Sequence, residues 1–320
     1  MSPHHEPDPA SPLPPGWGTR LDNDLDAVAA ETEQSTVARL NAAVSDLHAD
    51  RAGAPENTVR RMGWYYAFDR QVASWILNEA PGYAECLALQ RRFRDHALQQ
   101  AVTSDRIRQI TEIRTPIPDD GPQPVTVHDL ALEYLKNSAE AVTSVLLARE
   151  RVLTVNLLVD YAEKADSTGH RVAVLRAEVE DIDALHSVLD GDRPLLDRGR
   201  PVALSVVDDL HRDPDPARRI RAYRDLLPVG SVLWFTHLAP PAPGSEHAAA
   251  LDKLRYRFST TIEPTIIPRG ADEIGSWFDA PAWQLRSPGV TTVPRWLGEP
   301  EADQPGTPWR VWCGVAEKIR

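Results

Sequence analysis

Cysteine is scarce in this 320-residue chain, which has only Cys86 and Cys313. Two thiols this far apart, in a chain with no signal-peptide pattern, exclude a disulfide framework and a zinc cluster, and both read as buried and reduced. No apolar run reaches the ~20 residues needed to span a bilayer. A basic stripe is also missing. The formal charge is −12, and residues 1–56 carry −7 of it, with ten acids against three bases, leaving −5 for the rest. Without clustered Lys and Arg the chain lacks the surface on which counterion release, and so nucleic-acid binding, depends. No group of His, Cys and acid residues has metal-ligand spacing, and no internal repeat is present. These absences exclude nucleic acid, membrane and metal as partners. What remains is a cytoplasmic protein that meets a small-molecule ligand or a protein partner, with a homodimer as one arrangement.

What is present is organised in blocks. Residues 1–20, rich in proline and acid and holding His4 and His5, form a disordered leader. Residues 21–56 form a helical arm, in which Val28, Val37, Leu40, Val44 and Leu47 recur at helical spacing. From 57 to 105 the pattern is again helical, a cap or lid broken by a turn at Pro81-Gly82. Between 106 and 240 the periodicity changes. Apolar runs at 108–113, 141–147, 171–177, 201–207 and 231–238 alternate with helical stretches at 126–138, 149–165, 181–190 and 215–227. Strands that are apolar throughout and separated by helices imply a parallel sheet covered on both faces, so the expected fold is α/β, doubly wound and Rossmann-like. Ligands of such folds sit at the carboxyl ends of the strands. Residues 241–320 add two helices and the extended stretches "TTVPRW" and "PWRVWCGVAEK", read as a closing hairpin with an antiparallel strand.

A nucleoside cofactor in this architecture needs small residues after the first strand, an acid ending the second, and a polar or acidic residue after the third. The segments "RRFRDHALQQAVTSDRIRQITEIRT", "TVHDLAL", "RVAVLRAEVEDIDAL", "PVALSVVDDLH", "YRDLLPVGSVLWFTHL" and "CGVAEK" bear on those positions. In order and spacing they resemble the bacterial S-adenosylmethionine-dependent methyltransferase family once known only as a domain of unknown function, DUF574. The likeness runs from about Asn57 to the end and implies a class I methyltransferase fold.

Set against that family, the donor motifs are degenerate. Its opening "DYLLGGKDNF" corresponds to "MGWYYAFDR", which keeps Tyr65, Phe68 and Asp69 but loses the glycines. Its first-strand "DIGTGLPT" corresponds to the run from Glu112 through Arg114, Thr115 and Pro116 to Asp119, with Arg114 and Pro116 in the glycine positions. An arginine there is expected to fill the methionine seat, and proline removes an N–H. The acidic "VDND" falls on Val145 to Ala148, which puts Leu146 opposite the ribose. Two unpaired hydroxyls at about 1–3 kcal/mol each imply a loss of roughly 10²-fold in affinity. Glu178 keeps the acid that would read the adenine, and Asp208, Asp209 and His211 are the catalytic candidates after the fourth strand. Trp64, Tyr65, Tyr66, Phe68 and His237 are candidates for a substrate pocket, whereas His128 reads as a core or capping residue.

The expectation drawn from these losses is a methyltransferase-fold protein that takes no cofactor and has been repurposed. As such it is a non-methylating small-molecule enzyme, a ligand-binding regulator or a partner subunit. The alternative is a working S-adenosylmethionine-dependent methyltransferase with an altered pocket, in which Glu112 or Asp119 takes over from the missing acids. A purely structural subunit, built on the amphipathic arm, is a third reading.

Overall fold

Five of the strands form where short, mostly apolar runs alternate with helical stretches: β1 (Gln109–Ile113), β2 (Thr143–Ala148), β3 (Arg171–Arg176), β4 (Val202–Val206) and β5 (Val232–Leu238). The computed structural model describes residues 37–51, 67–80, 82–115, 126–149, 154, 157–158, 161, 169–177, 182–191, 194–261, 266–278, 281–300 and 309–320. Among these residues one sheet runs β3-β2-β1-β4-β5-β8-β6, with β1 to β5 parallel. Strand β8 (Val311–Lys318) enters antiparallel between β5 and β6 (Trp283–Leu285), and β7 (Thr291–Thr292) also pairs with it. The doubly wound, Rossmann-like methyltransferase fold expected from the sequence is the one observed.

Two apolar layers cover the sheet. One face carries α1 (Val37–Arg51), α2 (Ala67–Glu79), α3 (Tyr83–Thr103), α4 (Val127–Tyr134) and α7 (Glu246–Thr261), which meet in one core cluster. The other carries α5 (Ile182–Asp190), α6 (Pro216–Leu226) and α8 (Ala271–Gly275). Helix starts follow local chemistry. Thr126 caps α4 by accepting from the Asp129 N–H, and the Asp129 carboxylate accepts in return from the Thr126 N–H. Asp215 caps α6 through the Arg218 N–H, with Pro216 in the first turn. Gly82, at φ 95, makes the turn between α2 and α3 that the sequence predicts. Gly314 is required by a close approach, since a Cβ there would lie 2.8 Å from the ring of Phe235, its register partner on β5.

Several expectations need adjustment. "TTVPRW" is not one extended stretch: β7 ends at Thr292, and Pro294 lies in the first turn of the short helix α9 (Val293–Trp296). The helix read into "ADEIGSWFD" stops at Gly275, and β6 carries no sequence signal that set it apart. The leader, the arm up to Thr36 and most of the helix expected over 149–165 lie outside the described residues. Among those described, no helix is long and apolar enough to cross a membrane.

Helix α1 is tied in by more than its apolar face. Leu40, Ala43 and Val44 are fully buried, at roughly 1.5–3 kcal/mol for each larger side chain. Arg39 Nε donates to Asp69 Oδ2 of α2 at 3.1 Å, with both side chains buried.

Candidate functional site

The strand order reverses between β1 and β4, and the carboxyl ends of those strands are where such a fold binds ligands. Each of the two strands is followed by a non-glycine residue in the left-handed region, Arg114 at φ 55 and Asp208 at φ 56. Positive φ on such residues persists only where the surroundings hold it, and it concentrates at functional sites.

Arg114 is held by charge. Its Nε lies 3.0 Å from Oδ1 of the fully buried Asp209, whose other oxygen pairs with Arg219 of α6. Arg219 also reaches Asp213 at 2.7 Å. The guanidinium expected to stand against the donor is therefore neutralised and tied to the α6 side. Asp209, a catalytic candidate on sequence grounds, is the structural anchor of this buried network, because its charge is fully engaged by two arginines. Beyond Arg114, Thr115 N–H donates to Leu147 O at 3.0 Å and extends the β1–β2 pairing.

Glu112 sits one turn of pleat earlier, buried, with Oε1 3.6 Å from Arg94 of α3 and a hydrogen bond from the Val127 backbone at the start of α4. Its Oε2 has no hydrogen-bond partner. Burial pushes its pKa up to about 7, against the opposing pull of Arg94 and the Val127 N–H.

Leu146 does not end its strand. It lies within β2, paired with Glu112 and Val174, fully buried in the core. The strand runs two residues further, to Ala148, one beyond the end expected at 147.

Asp208 is the centre of the polar cluster at the end of β4. Its Oδ2 accepts from Asn41 Nδ2 of α1 at 2.5 Å, and its Oδ1 accepts from Gln90 Nε2 of α3 at 3.2 Å. Gln90 Oε1 accepts from Thr236 Oγ1 on β5 at 2.6 Å, and Thr236 Oγ1 accepts from the Asp208 N–H at 3.1 Å, which closes a ring. Tyr83 OH donates to Asn41 Oδ1 at 3.0 Å and accepts from Arg212 Nη2 at 3.0 Å. Asn41, Tyr83, Gln90 and Thr236 were all missed in the sequence. The one signal was Asn41, a polar residue between the buried Leu40 and Ala42 on the inward face of α1.

His211, in the turn Leu210–Arg212, is fully buried, with Nε2 3.3 Å from Asp208 Oδ1. Neither ring nitrogen makes an aligned hydrogen bond. Burial, reinforced by Arg212, His237, Arg114 and Arg269, holds its pKa well below the usual value, so the ring is neutral at physiological pH. His237 on β5 packs edge-on to it, with ring centroids 5.8 Å apart, and donates from Nδ1 to Leu238 O at 2.8 Å. Burial lowers the pKa of His237 to about 4.

The other candidates are one exposed residue and several that the structure does not describe. Phe68, on the first turn of α2, is 40% exposed. Trp64, Tyr65, Tyr66, Pro116, Asp119 and Glu178 lie outside the described residues. His128 is buried and within 3.0 Å of Ser144 Oγ. A pocket of about 560 Å³ along the edge strand β3, lined by His128, Asp129, Tyr161 and Arg171 among others, gathers none of the cofactor or substrate candidates. Among the described residues no His, Cys, Asp and Glu group could hold a metal ion.

A family model described as S-adenosyl methyltransferase matches residues 63–319. Among solved structures, a DUF574 family protein from Streptomyces avermitilis is 22% identical, with 90% of this chain and 99% of that one covered at a TM-score of 0.68. A candidate methyltransferase from Thermobifida fusca is also 22% identical, covering 91% of this chain and 98% of that one at a TM-score of 0.69. At that identity both share the fold. No curated protein matches the sequence. A match over most of the chain to a family defined by its S-adenosyl donor overturns the expectation that this protein takes no cofactor. The substitutions at Arg114 and Pro116 were read as a vacated seat, yet the arginine that carried that argument is engaged by Asp209.

Proposed function

Because the chain belongs to the S-adenosyl methyltransferase family, we propose that it is a working S-adenosylmethionine-dependent methyltransferase of a small molecule with an atypical donor pocket. The family match over residues 63–319 carries this reading. Two features of the switch point support it. The turn after β1 keeps a left-handed residue in the position the family gives to glycine, so the backbone path survives the change to Arg114. Glu112 keeps the acid of that motif, with a buried Oε2 that lacks a partner and suits a cationic group.

The residues that would hold the donor are Glu112 and the backbone at Arg114 and Thr115, beside the end of β2 at Ala148. When bound, the donor supplies a methyl group activated on a sulfonium, whose transfer depends chiefly on proximity and alignment. The acceptor side falls to Asp208 and His211. A neutral imidazole beside a fixed carboxylate can take a proton from an acceptor hydroxyl or amine, and the carboxylate stabilises the imidazolium that results. Burial keeps bulk water from that base. His237 and Trp277, with rings 5.6 Å apart, continue the wall on the β5 side. An acidic chain and an enclosed polar cluster favour a small acceptor over a macromolecular one.

Isothermal calorimetry with S-adenosylmethionine and S-adenosylhomocysteine tests the reading. Dissociation constants in the micromolar range are expected for both. Absence of binding at millimolar ligand would overturn it.

A further inference from the structure

The family match begins at residue 63, yet the carboxylate at the centre of the cluster is gripped by a residue 22 positions earlier in the sequence. Asn41 meets two different demands with its two ends. Nδ2 donates to Asp208 Oδ2 at 2.5 Å, and Oδ1 accepts from Tyr83 OH at 3.0 Å. Tyr83 is itself pinned by Arg212 on the turn that carries His211. A chain of donors therefore runs Arg212, Tyr83, Asn41, Asp208, and its end faces His211 Nε2 at 3.3 Å. With Gln90 on the other oxygen, both carboxylate lone-pair sides are claimed from outside the β4 loop, so the carboxylate cannot turn away from the imidazole. An Asp side chain at position 41 would have no N–H to offer and would repel Asp208. A Leu would leave both Tyr83 and Asp208 short of a partner.

We propose that Asn41 is a positioning residue of the acceptor site: it orients Asp208 so that His211 is held as the Nε2–H tautomer, with Nδ1 presented as the base. The N-terminal helix α1, outside the family-matched residues, is thus part of the active site. This rests on the methyltransferase reading for its purpose, but not for its test. The groups facing His211 are Asp208 and Arg212 from its own loop, Arg114 from the end of β1, His237 from β5 and Arg269. Of these only Asp208 is negatively charged, and at 3.3 Å from Nε2 its charge favours the ring proton on that nitrogen even without an aligned hydrogen bond, so the tautomer reports its orientation.

The experiment is a long-range nitrogen–proton NMR spectrum of the imidazoles of the full chain, with His211 assigned through His211→Gln. Wild-type protein should show His211 as a single neutral tautomer protonated at Nε2 between pH 6 and 8. In Asn41→Leu the tautomers should mix, with at least a fifth of the signal moving to the Nδ1–H form. Tyr83→Phe, which removes one hydroxyl and spares the Asn41 side chain, should shift the population in the same direction. It reads the same coupling if Asn41→Leu fails to fold. An unchanged tautomer in both variants, or a wild-type ring protonated at Nδ1, would overturn the proposal. Because no donor is present, these outcomes are independent of calorimetry on the wild-type chain, which judges the methyltransferase reading alone.

Discussion

Arg114 and Asp209 stand 3.0 Å apart across the point where the strand order reverses, joining the end of β1 to the loop after β4. Asp209 is shared with Arg219, so the carboxylate serves two buried cations. Asp209→Asn removes the buried charge that these two cations share and should cost about 3–5 kcal/mol. Arg114→Gly leaves Asp209 its other partner and relieves a left-handed arginine, itself a strain of about 1–3 kcal/mol. Its net cost should stay below about 2 kcal/mol. Urea unfolding of the two variants checks the order, and equal losses would show that the backbone at Arg114 is not strained.

The two histidines of the cluster give the acid limb of stability its shape. Both are depressed by burial, His237 to about 4. The unfolded chain, with histidine near its ordinary value, binds more protons in that range. Stability contributed by keeping these rings neutral is complete above about pH 6.5 and lost as pH falls through the folded values. His237→Gln keeps a donor for Leu238 O but no titration. It should flatten the decline between about pH 6.5 and 4 by roughly 3 kcal/mol, measured by denaturant midpoints across that range.

Glu112 acts with the opposite sign. Its folded pKa of about 7 lies above the unfolded one, so the folded chain holds the extra proton. The stability this gives is present below about pH 4.5 and lost as pH rises through about 7. Glu112→Gln preserves an acceptor for the Val127 N–H and removes the titration. Its stability relative to the wild type should therefore rise by up to roughly 3 kcal/mol between pH 4.5 and 7.5. A difference independent of pH would mean that Arg94 compensates the buried charge more fully than its 3.6 Å separation suggests.

The sheet was legible because its parallel strands are short, mostly apolar runs separated by helical stretches, a pattern that strands between two helical layers require. That same uniformity hid the register. "VLLA" offers no polar marker of the strand end, so the acidic motif was laid on Val145 to Ala148, all within β2, with Glu150 the next acid in sequence. Glu112, Asp208 and His211 were singled out because strand ends are short, identifiable targets. Their roles were not separable from Asp209's, since the partners that decide them come from far away: Arg114 for Asp209, and Asn41 and Gln90 for Asp208. Spacing along the chain cannot report an ion pair between residues 95 positions apart. The reading of Arg114 as an obstruction failed for this reason, because a side chain's direction is set by its partner.

The Arg39–Asp69 bond separates two limits that are easily taken for one. The family-model match begins at residue 63, but a chain cut there would keep the buried Asp69 and lose the Arg39 that donates to it. A piece of this molecule that keeps that bond has to start upstream of the segment the family model matches.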